Sequence, residues 1–378
     1  MRKINYPADL VKFKNEYYNS LLKHTEVAIN LFLSGIPART VPLTFKDLVT
    51  ASFEDLIDYY HLLENYFKSK SITEVNAFKK NFNYSSNQPL IAGFFMDNKD
   101  ILEIKTCFYC NIDFINSFND IGEYENEIDF LNKATLQELK IISGLDKKAE
   151  IISTELKKRN ISNFDELKTI NGIGEKTVDK IKVIKLDDLK KYKNHFTLDH
   201  FIPQSKCQYT SLSLFNLIPS CYSCNSKFKG VMVFQDINNL KYLSPSSNSF
   251  SLVSEVRFKL YFNTIGKKLK TKINNTKILK DIRVDFENLG SVKEFDIYLD
   301  MFKLKGRYVY HKNEALKIVK KRREYPDTEI EDIARITGRK ILDIKKDLFG
   351  SLIFNDEEKN EPFAKYKREI ADQLGLLS

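Results

Sequence analysis

The sequence predicts an α+β protein, and three observations carry that expectation. Leu21, Leu22, Val27, Ala28, Leu31 and Phe32, and again Phe53, Leu56, Ile57, Tyr60, Leu63 and Tyr66, recur at the three- and four-residue spacing of amphipathic helices. Val256, Phe258, Leu260 and Phe262 alternate with Arg257, Lys259 and Tyr261, the period of two that marks a half-buried strand. Finally, Phe196 to Gly230 crowds a histidine beside a carboxylate, two spaced asparagines and a Cys-x-x-Cys pair into one short stretch, and a second pair, Cys107 and Cys110, lies far upstream.

With 378 residues, 42% hydrophobic and 29% charged, the chain can bury two or three cores. The formal charge of +9 favours polyanionic partners, DNA among them, while being equally compatible with solvated faces. No apolar run approaches the roughly 18 residues of a membrane span, and MRKINYPADL lacks an apolar signal core, so the expectation is a cytoplasmic protein without a membrane partner. Four of the five cysteines fall in Cys-x-x-Cys pairs, which in that compartment read as metal ligands rather than disulfides. Cys207 has no partner in the pattern and reads as a free thiol.

In chain order, residues 1–85 form the helical region, interrupted at Pro37 and Pro42. Asn83 to Pro89 reads as a boundary. After it, LIAGFFMD and ILEIKTCFYC read as a strand pair delivering the first cysteines. The discontinuous core is expected over 86–130 and 195–250, with an insertion over 131–194 and a mixed α/β domain over 251–378.

Asp199 and His200 sit where an apolar run meets Pro203, the end of a strand entering a loop. SKFKG reads as a short helix closed by Gly230. The pattern Asp199-His200, Asn216, Asn225, with one Cys-x-x-Cys upstream and the other bracketing the last asparagine, resembles the HNH (ββα-metal) endonucleases in their four-cysteine zinc branch. The resemblance covers Cys107 to Cys110 and Phe196 to Gly230, and it implies a zinc-stapled ββα-metal core. It implies His200 as general base, Asp199 and Asn225 as ligands of a catalytic Mg²⁺ or Mn²⁺, and Asn216 as the residue that ties the catalytic loop. The last position of the motif is asparagine here, which leaves Asp199 as the single anionic ligand.

These residue types suit that chemistry on their own terms. A hard cation held by one or two protein oxygens keeps positions for water and phosphate, and a neutral histidine near its ordinary pKa takes a proton from the attacking water. The structural alternative for His200 is an ordinary hydrogen-bonded loop histidine. Two Cys-x-x-Cys knuckles, Cys107 with Cys110 and Cys221 with Cys224, supply four thiolates to one tetrahedral Zn²⁺, a closed and therefore structural site. A redox dithiol, or buried unligated cysteines, is the alternative.

The 110 residues between the knuckles contain a repeat of period 28: Leu139 with Leu167, Ile142 with Ile170, Gly144 with Gly172, Lys148 with Lys176. This resembles a tandem helix-hairpin-helix module of the kind that binds DNA in competence receptors and repair enzymes. The second hairpin keeps the Gly-apolar-Gly core at Gly172 and Gly174, and the resemblance implies phosphate contacts there, with Lys176 and Thr177 adding to them. The first hairpin loses its second glycine and carries Asp146 where phosphate would sit. Residues 131–194 hold 15 Lys and Arg against 10 Asp and Glu, which suits sequence-independent phosphate binding; a helical spacer or docking insert is the alternative.

Leu243 to Phe250 reads as a serine-rich linker, Asp281 to Phe286 as a second strand, and the chain from Val292 onward as helical. A helix is expected from Thr328, capped with Glu331 and stopped at Gly338. The following pair of helices reads as packed core through Ile330, Ile333, Ile336, Leu342 and Leu348, or as a helix-turn-helix facing DNA with Arg339, Lys340 and Lys345. This region broadly resembles the tails of bacterial HNH nucleases that act beside an ATPase in defence against phage, with no motif residue in common.

Together these readings predict a metal-dependent DNA endonuclease; the family resemblance implies products with 5′-phosphate and 3′-hydroxyl ends, and the resemblance of the tail implies a role in bacterial defence or restriction with an ATPase as a further partner. A non-catalytic zinc and helix-hairpin-helix DNA-binding scaffold, or an RNA-cleaving HNH nuclease, is the alternative. The sequence pattern does not specify an oligomeric state.

Overall fold

Helices appear first where the apolar spacing requires them: α1 (Leu10–Ser20), α2 (Glu26–Ser34), α3 (Phe45–Thr50), α4 (Phe53–Phe67), α5 (Ile72–Lys80) and α6 (Tyr84–Asp97). In this computed structural model, residues 1–37, 41–189, 192–230, 234, 236–355 and 360–377 are described. Capping boxes start α3, α4 and α5 at Thr44 with Asp47, Ser52 with Asp55, and Ser71 with Glu74, so orphan amides are satisfied within each segment. The helices bury Tyr17, Phe45, Phe53, Phe78 and Phe95 completely, together with Phe82 of the connection between α5 and α6.

The expected strand LIAGFFMD is instead the body of α6, which runs through Pro89. Its buried positions, Asn87, Ile91, Phe94 and Phe95, follow helical spacing, and Asn83 caps its start at the place expected to be a domain boundary. ILEIKTCFYC is a series of turns ending in the first cysteine knuckle, with a single bridge between Thr106 and Phe114.

The chain forms two compact units, Met1–Asn116 with Phe196–Ser378, and Ser117–His195. Within the second, β1 (Ser117–Asn119) pairs antiparallel with β2 (Tyr192–Asn194), and α7 (Glu127–Lys133), α8 (Leu136–Lys140), α9 (Asp146–Leu156), α10 (Glu175–Lys182) and α11 (Leu186–Leu189) lie between them. The sequence repeat is visible as two helix pairs: α8 with α9, and a 3-10 turn at Phe164–Thr169 with α10. This unit has its own core, in which Leu139 and Leu167, Ile142 and Ile170, and Leu145 and Ile173 occupy equivalent buried places.

In the larger unit, β3 (Thr197–His200) and β4 (Leu217–Ser220) form one antiparallel pair. The 243–250 stretch, expected as a linker, is an internal lacing after α12 (Leu240–Leu243). Ser244, Ser246 and Ser247 are buried, Ser246 donates to the Phe215 carbonyl, and Glu54 accepts from Ser247 Oγ at 2.7 Å and from the Ser249 amide at 3.0 Å. Short polar side chains can be buried where each hydroxyl finds a partner, which serine-rich composition alone does not disclose.

After α13 (Leu252–Glu255), β5 (Val256–Phe262) and β6 (Ile282–Asn288) pair from Val256 opposite Asn288 to Phe262 opposite Ile282, with α14 (Leu269–Asn275) between them. The helices α15 (Glu294–Met301), α16 (Leu304–Tyr310), α17 (Lys312–Glu324), α18 (Asp327–Thr337), α19 (Ile341–Phe349) and α20 (Ala364–Gln373) follow. Strand β5 would have an open edge, but α20 closes it: Glu369 accepts from the Phe258 amide at 2.7 Å, and Gln373 accepts from the Leu260 amide at 3.0 Å. Helix α18 starts after Pro326 with no side-chain cap, not through Thr328 and Glu331, while Gly338 at φ +67° ends it as expected. Ile336 and Leu342, expected to bury this pair, are 78% and 49% exposed, so Ile330 and Ile344 supply its buried contacts.

Candidate active site

The site is built on the β3–β4 pair. Alternation along β3 turns Asp199 inward, where it is 4% exposed, and leaves the next residue, His200, half-buried on the other face. The connection from Phe201 to Asn216 is stitched by Asn216 itself, which is fully buried. Its Oδ1 accepts from the Ile202 amide at 2.7 Å, and its Nδ2 donates to the carbonyls of Ile202 at 3.0 Å and Thr210 at 3.1 Å. One side chain thus fixes both ends of the loop.

After β4 the chain enters a helical turn, Ser223–Lys229, which packs on β3. The turn is wide: the Gly230 amide donates to the Asn225 carbonyl at 2.8 Å, an i to i+5 bond. Gly230 then leaves at φ +49° and ψ −120°, a conformation that glycine adopts without a Cβ penalty. Asn225, half-buried on this turn, has a carboxamide with no hydrogen-bond partner among the described residues.

His200 Nε2 lies 2.9 Å from the carbonyl oxygen of Ser211. A carbonyl only accepts, so Nε2 carries the hydrogen and Nδ1 keeps the lone pair. Burial lowers the imidazole pKa from 6.5, and Lys229 acts in the same direction against the opposing influence of Ser211 and Asp199. The Ser211 segment is anchored by the helical region: Tyr17 donates to the Leu212 carbonyl at 2.7 Å, Ser211 to Phe82 at 3.3 Å, and Ser213 to Leu48 at 2.8 Å.

Asp199 is not an open carboxylate. Lys229 Nζ is 2.9 Å from it and 2.6 Å from the His200 carbonyl, and the Tyr109 hydroxyl donates to Asp199 Oδ2. Burial, then Asp199, raises the Tyr109 pKa well above its ordinary value, so this hydroxyl remains a donor. Neither Lys229 nor Tyr109 was singled out by sequence reasoning. A lysine directly before Gly230 at the end of the turn was the available signal for the first; nothing in the spacing of Cys107 and Cys110 marked the tyrosine between them.

The four expected cysteines converge. The Sγ atoms of Cys107, Cys110, Cys221 and Cys224 lie within 4.8 Å of one another, and all four residues are buried. The Ile112 amide points to Cys110 Sγ and the Cys224 amide to Cys221 Sγ, each at 3.4 Å, as knuckle backbones do around thiolates. Arg307 of α16 reaches Cys224 Sγ at 3.2 Å, Cys110 Sγ at 3.4 Å and Asp113 at 2.9 Å. Burial acts against its charge, and these sulfurs with Asp113 outweigh that and raise its pKa. Four closed thiolate donors with a cation beside them are consistent with a structural zinc site. Cys207 is buried apart from the cluster, and burial pushes its thiol up to about 12.

Within the inserted unit, Gly172, at φ +89°, Gly174 and Lys176 are exposed, and the amides of Gly174, Glu175 and Lys176 donate to no acceptor among the described residues. Thr177 departs from the expected outward contact: it is 3% exposed, and its hydroxyl accepts from Lys148 of the first repeat. The equivalent position of the first repeat, Ala149, is fully buried in the core of this unit, and Thr177, 28 residues on, is turned inward in the same way.

Among known families, the HNH endonuclease model matches residues 186–229. No curated protein and no solved structure matches the chain. The matched segment contains Asp199, His200, Asn216, both cysteines of the second knuckle, Asn225 and Lys229. No helix among the described residues is long and apolar enough to cross a membrane.

Proposed function

We propose, from the HNH endonuclease domain at residues 186–229 and the four-cysteine cluster joined to it, that the protein is a metal-dependent DNA endonuclease. The observation that carries this reading is the bond from His200 Nε2 to the Ser211 carbonyl, which leaves Nδ1 as a neutral base held by a loop that Asn216 and the helical region make rigid. A base whose pKa is lowered stays unprotonated at neutral pH and removes a proton from the attacking water.

The donors fit a hard divalent cation by type. Asn225 has an unengaged amide oxygen, and Asp199 retains lone pairs beyond those used by Lys229 and Tyr109. Mg²⁺ or Mn²⁺ bound there would polarise the phosphoryl oxygen and offset charge on the leaving oxygen. The chain's own part is to hold the base in one tautomer, to fix Asp199 through Lys229, and to keep the hairpin and turn together through the cysteines. Asn216 serves by fixing the loop and does not touch substrate.

DNA as the substrate is supported by the inserted unit, which we read as a tandem helix-hairpin-helix module. Its two helix pairs pack across each other, since Lys148 bonds Thr177 while a Cβ at Gly144 would lie 3.3 Å from Lys180 Nζ. The exposed amides and Lys176 of the second hairpin are suited to phosphate without base readout.

The test is cleavage of plasmid DNA with Mg²⁺, alongside structured RNA and a His200→Ala control. DNA cleavage lost in the control supports the proposal. RNA cleavage alone favours an RNA nuclease, and DNA binding without cleavage favours a scaffold.

A further inference from the structure

We infer that Tyr84, the first residue of α6, is a positioning residue for the base, holding the plane of the His200 imidazole with its ring. The inference rests on the proposed role of His200. Their ring centroids are 4.5 Å apart with the planes at 76°, an edge-to-face contact. The helical region also holds the 211–213 segment that bonds the base, through the Leu212 carbonyl and the Ser211 and Ser213 hydroxyls.

The single bond from Nε2 to Ser211 fixes one atom of the imidazole. It leaves the ring able to swing about the line from that nitrogen to the carbonyl, and such a swing moves Nδ1, the atom that must meet the water. A flat ring packed edge-to-face removes that freedom, and a misplacement of about 1 Å at a reacting group costs on the order of 100-fold in rate.

The tyrosine is itself firmly placed. Asn83 Oδ1 accepts from the Ser86 amide at 3.2 Å to cap the helix beneath it. Asn87, 3% exposed, donates to the Asn83 carbonyl at 3.0 Å and accepts from the Leu22 amide at 2.8 Å, tying this end of α6 to the end of α1. The Tyr84 hydroxyl has no hydrogen-bond partner among the described residues, so its own position owes nothing to that group. Burial, with Asp199 second, raises its pKa to about 12, which keeps the side chain neutral beside the base.

The experiment compares Tyr84→Phe, Tyr84→Ala and His200→Ala in the full chain, reading kcat and KM on duplex DNA with Mg²⁺, thermal midpoint, and the ring nitrogen NMR shifts of His200. Tyr84→Phe keeps the ring and is expected to stay within about twofold of wild type, while Tyr84→Ala loses about 10- to 100-fold in kcat with KM held. The His200 nitrogen shifts should move toward those of a freely tumbling imidazole in Tyr84→Ala and stay in place in Tyr84→Phe. Wild-type kcat and unmoved shifts in Tyr84→Ala, with His200→Ala inactive, overturn the inference and leave the base assignment standing. Cleavage that survives in His200→Ala overturns both. A loss shared equally by Phe and Ala also overturns it, because the hydroxyl rather than the ring would then be the part that matters.

Discussion

The ammonium of Lys229 lies 2.9 Å from the carboxylate of Asp199, and their side chains are 1% and 5% exposed. A carboxylate removed this far from water needs a compensating charge, and the turn after β4 delivers it from thirty residues away. The same ammonium bonds the His200 carbonyl, so one lysine holds both members of the Asp-His step.

Replacing Lys229 with methionine keeps the stem and removes the charge. Asp199 is then buried with Tyr109 as its remaining partner, and the expected loss is about 3–5 kcal/mol of unfolding free energy. Denaturant titration checks this; the paired variant Asp199→Asn with Lys229→Met should regain a large part of the loss. A Lys229→Met protein less than about 1 kcal/mol below wild type would show that the pair is not compensating a buried charge.

His200→Ala should reduce the cleavage rate by about 10²- to 10⁴-fold while leaving affinity for duplex DNA unchanged. Single-turnover cleavage and a gel-shift titration on the same preparation separate the two. Rates within a few-fold of wild type would remove His200 from the chemistry.

The pH profile follows from the lowered pKa of His200. The imidazole stays neutral as pH falls through 6.5, so the acid limb of the cleavage rate should have its midpoint below 6.5. The stability contribution of this residue runs in the same direction. Below 6.5 the unfolded chain takes up a proton that the folded one still resists, so unfolding becomes easier as pH drops from 6.5 toward the folded pKa. An acid midpoint above 6.5 that His200 governs would contradict the burial that lowers it.

Elemental analysis should find one zinc per chain, and Cys221→Ser should lower that content and destabilise the larger unit. The stake is large, since a structural zinc contributes on the order of 10 kcal/mol of apparent folding free energy. Arg307→Gln should keep the metal but release it faster to a chelator, because the thiolates lose their neighbouring cation. Wild-type protein that is folded and free of zinc would refute the site.

Lys176→Ala should reduce the magnitude of the salt dependence of DNA binding by about 0.9 in the logarithmic slope, the amount for one phosphate. Gly174→Asp meets no steric obstacle, because a Cβ there has open space around it, so any loss of affinity reports the added charge. Unchanged slopes in both would make the inserted unit a spacer.

Much of this was legible in the sequence for physical reasons that can be named. The paired cysteines and the Asp-His step are local patterns whose chemistry demands particular residue types, and the repeat of period 28 fixed two equivalent helix pairs. What was hidden depends on tertiary approach. Tyr109 is 90 residues from Asp199, and Arg307 is 197 from Cys110, distances at which no spacing rule operates. The apolar run in α6 failed for a different reason: short runs fit a strand and a buried helix equally well, and Pro89 tipped the reading toward a break that the helix tolerates.

The pairing of Ser117 with Asn194 across β1 and β2 has a meaning for the history of such a chain. The inserted unit begins and ends on adjacent strands, so its entry and exit are about 5 Å apart, a gap that a tight turn could bridge. A segment that enters and leaves on neighbouring strands therefore places little geometric demand on the chain on either side. A chain built this way can take up segments of different length at one seam while its four cysteines stay together.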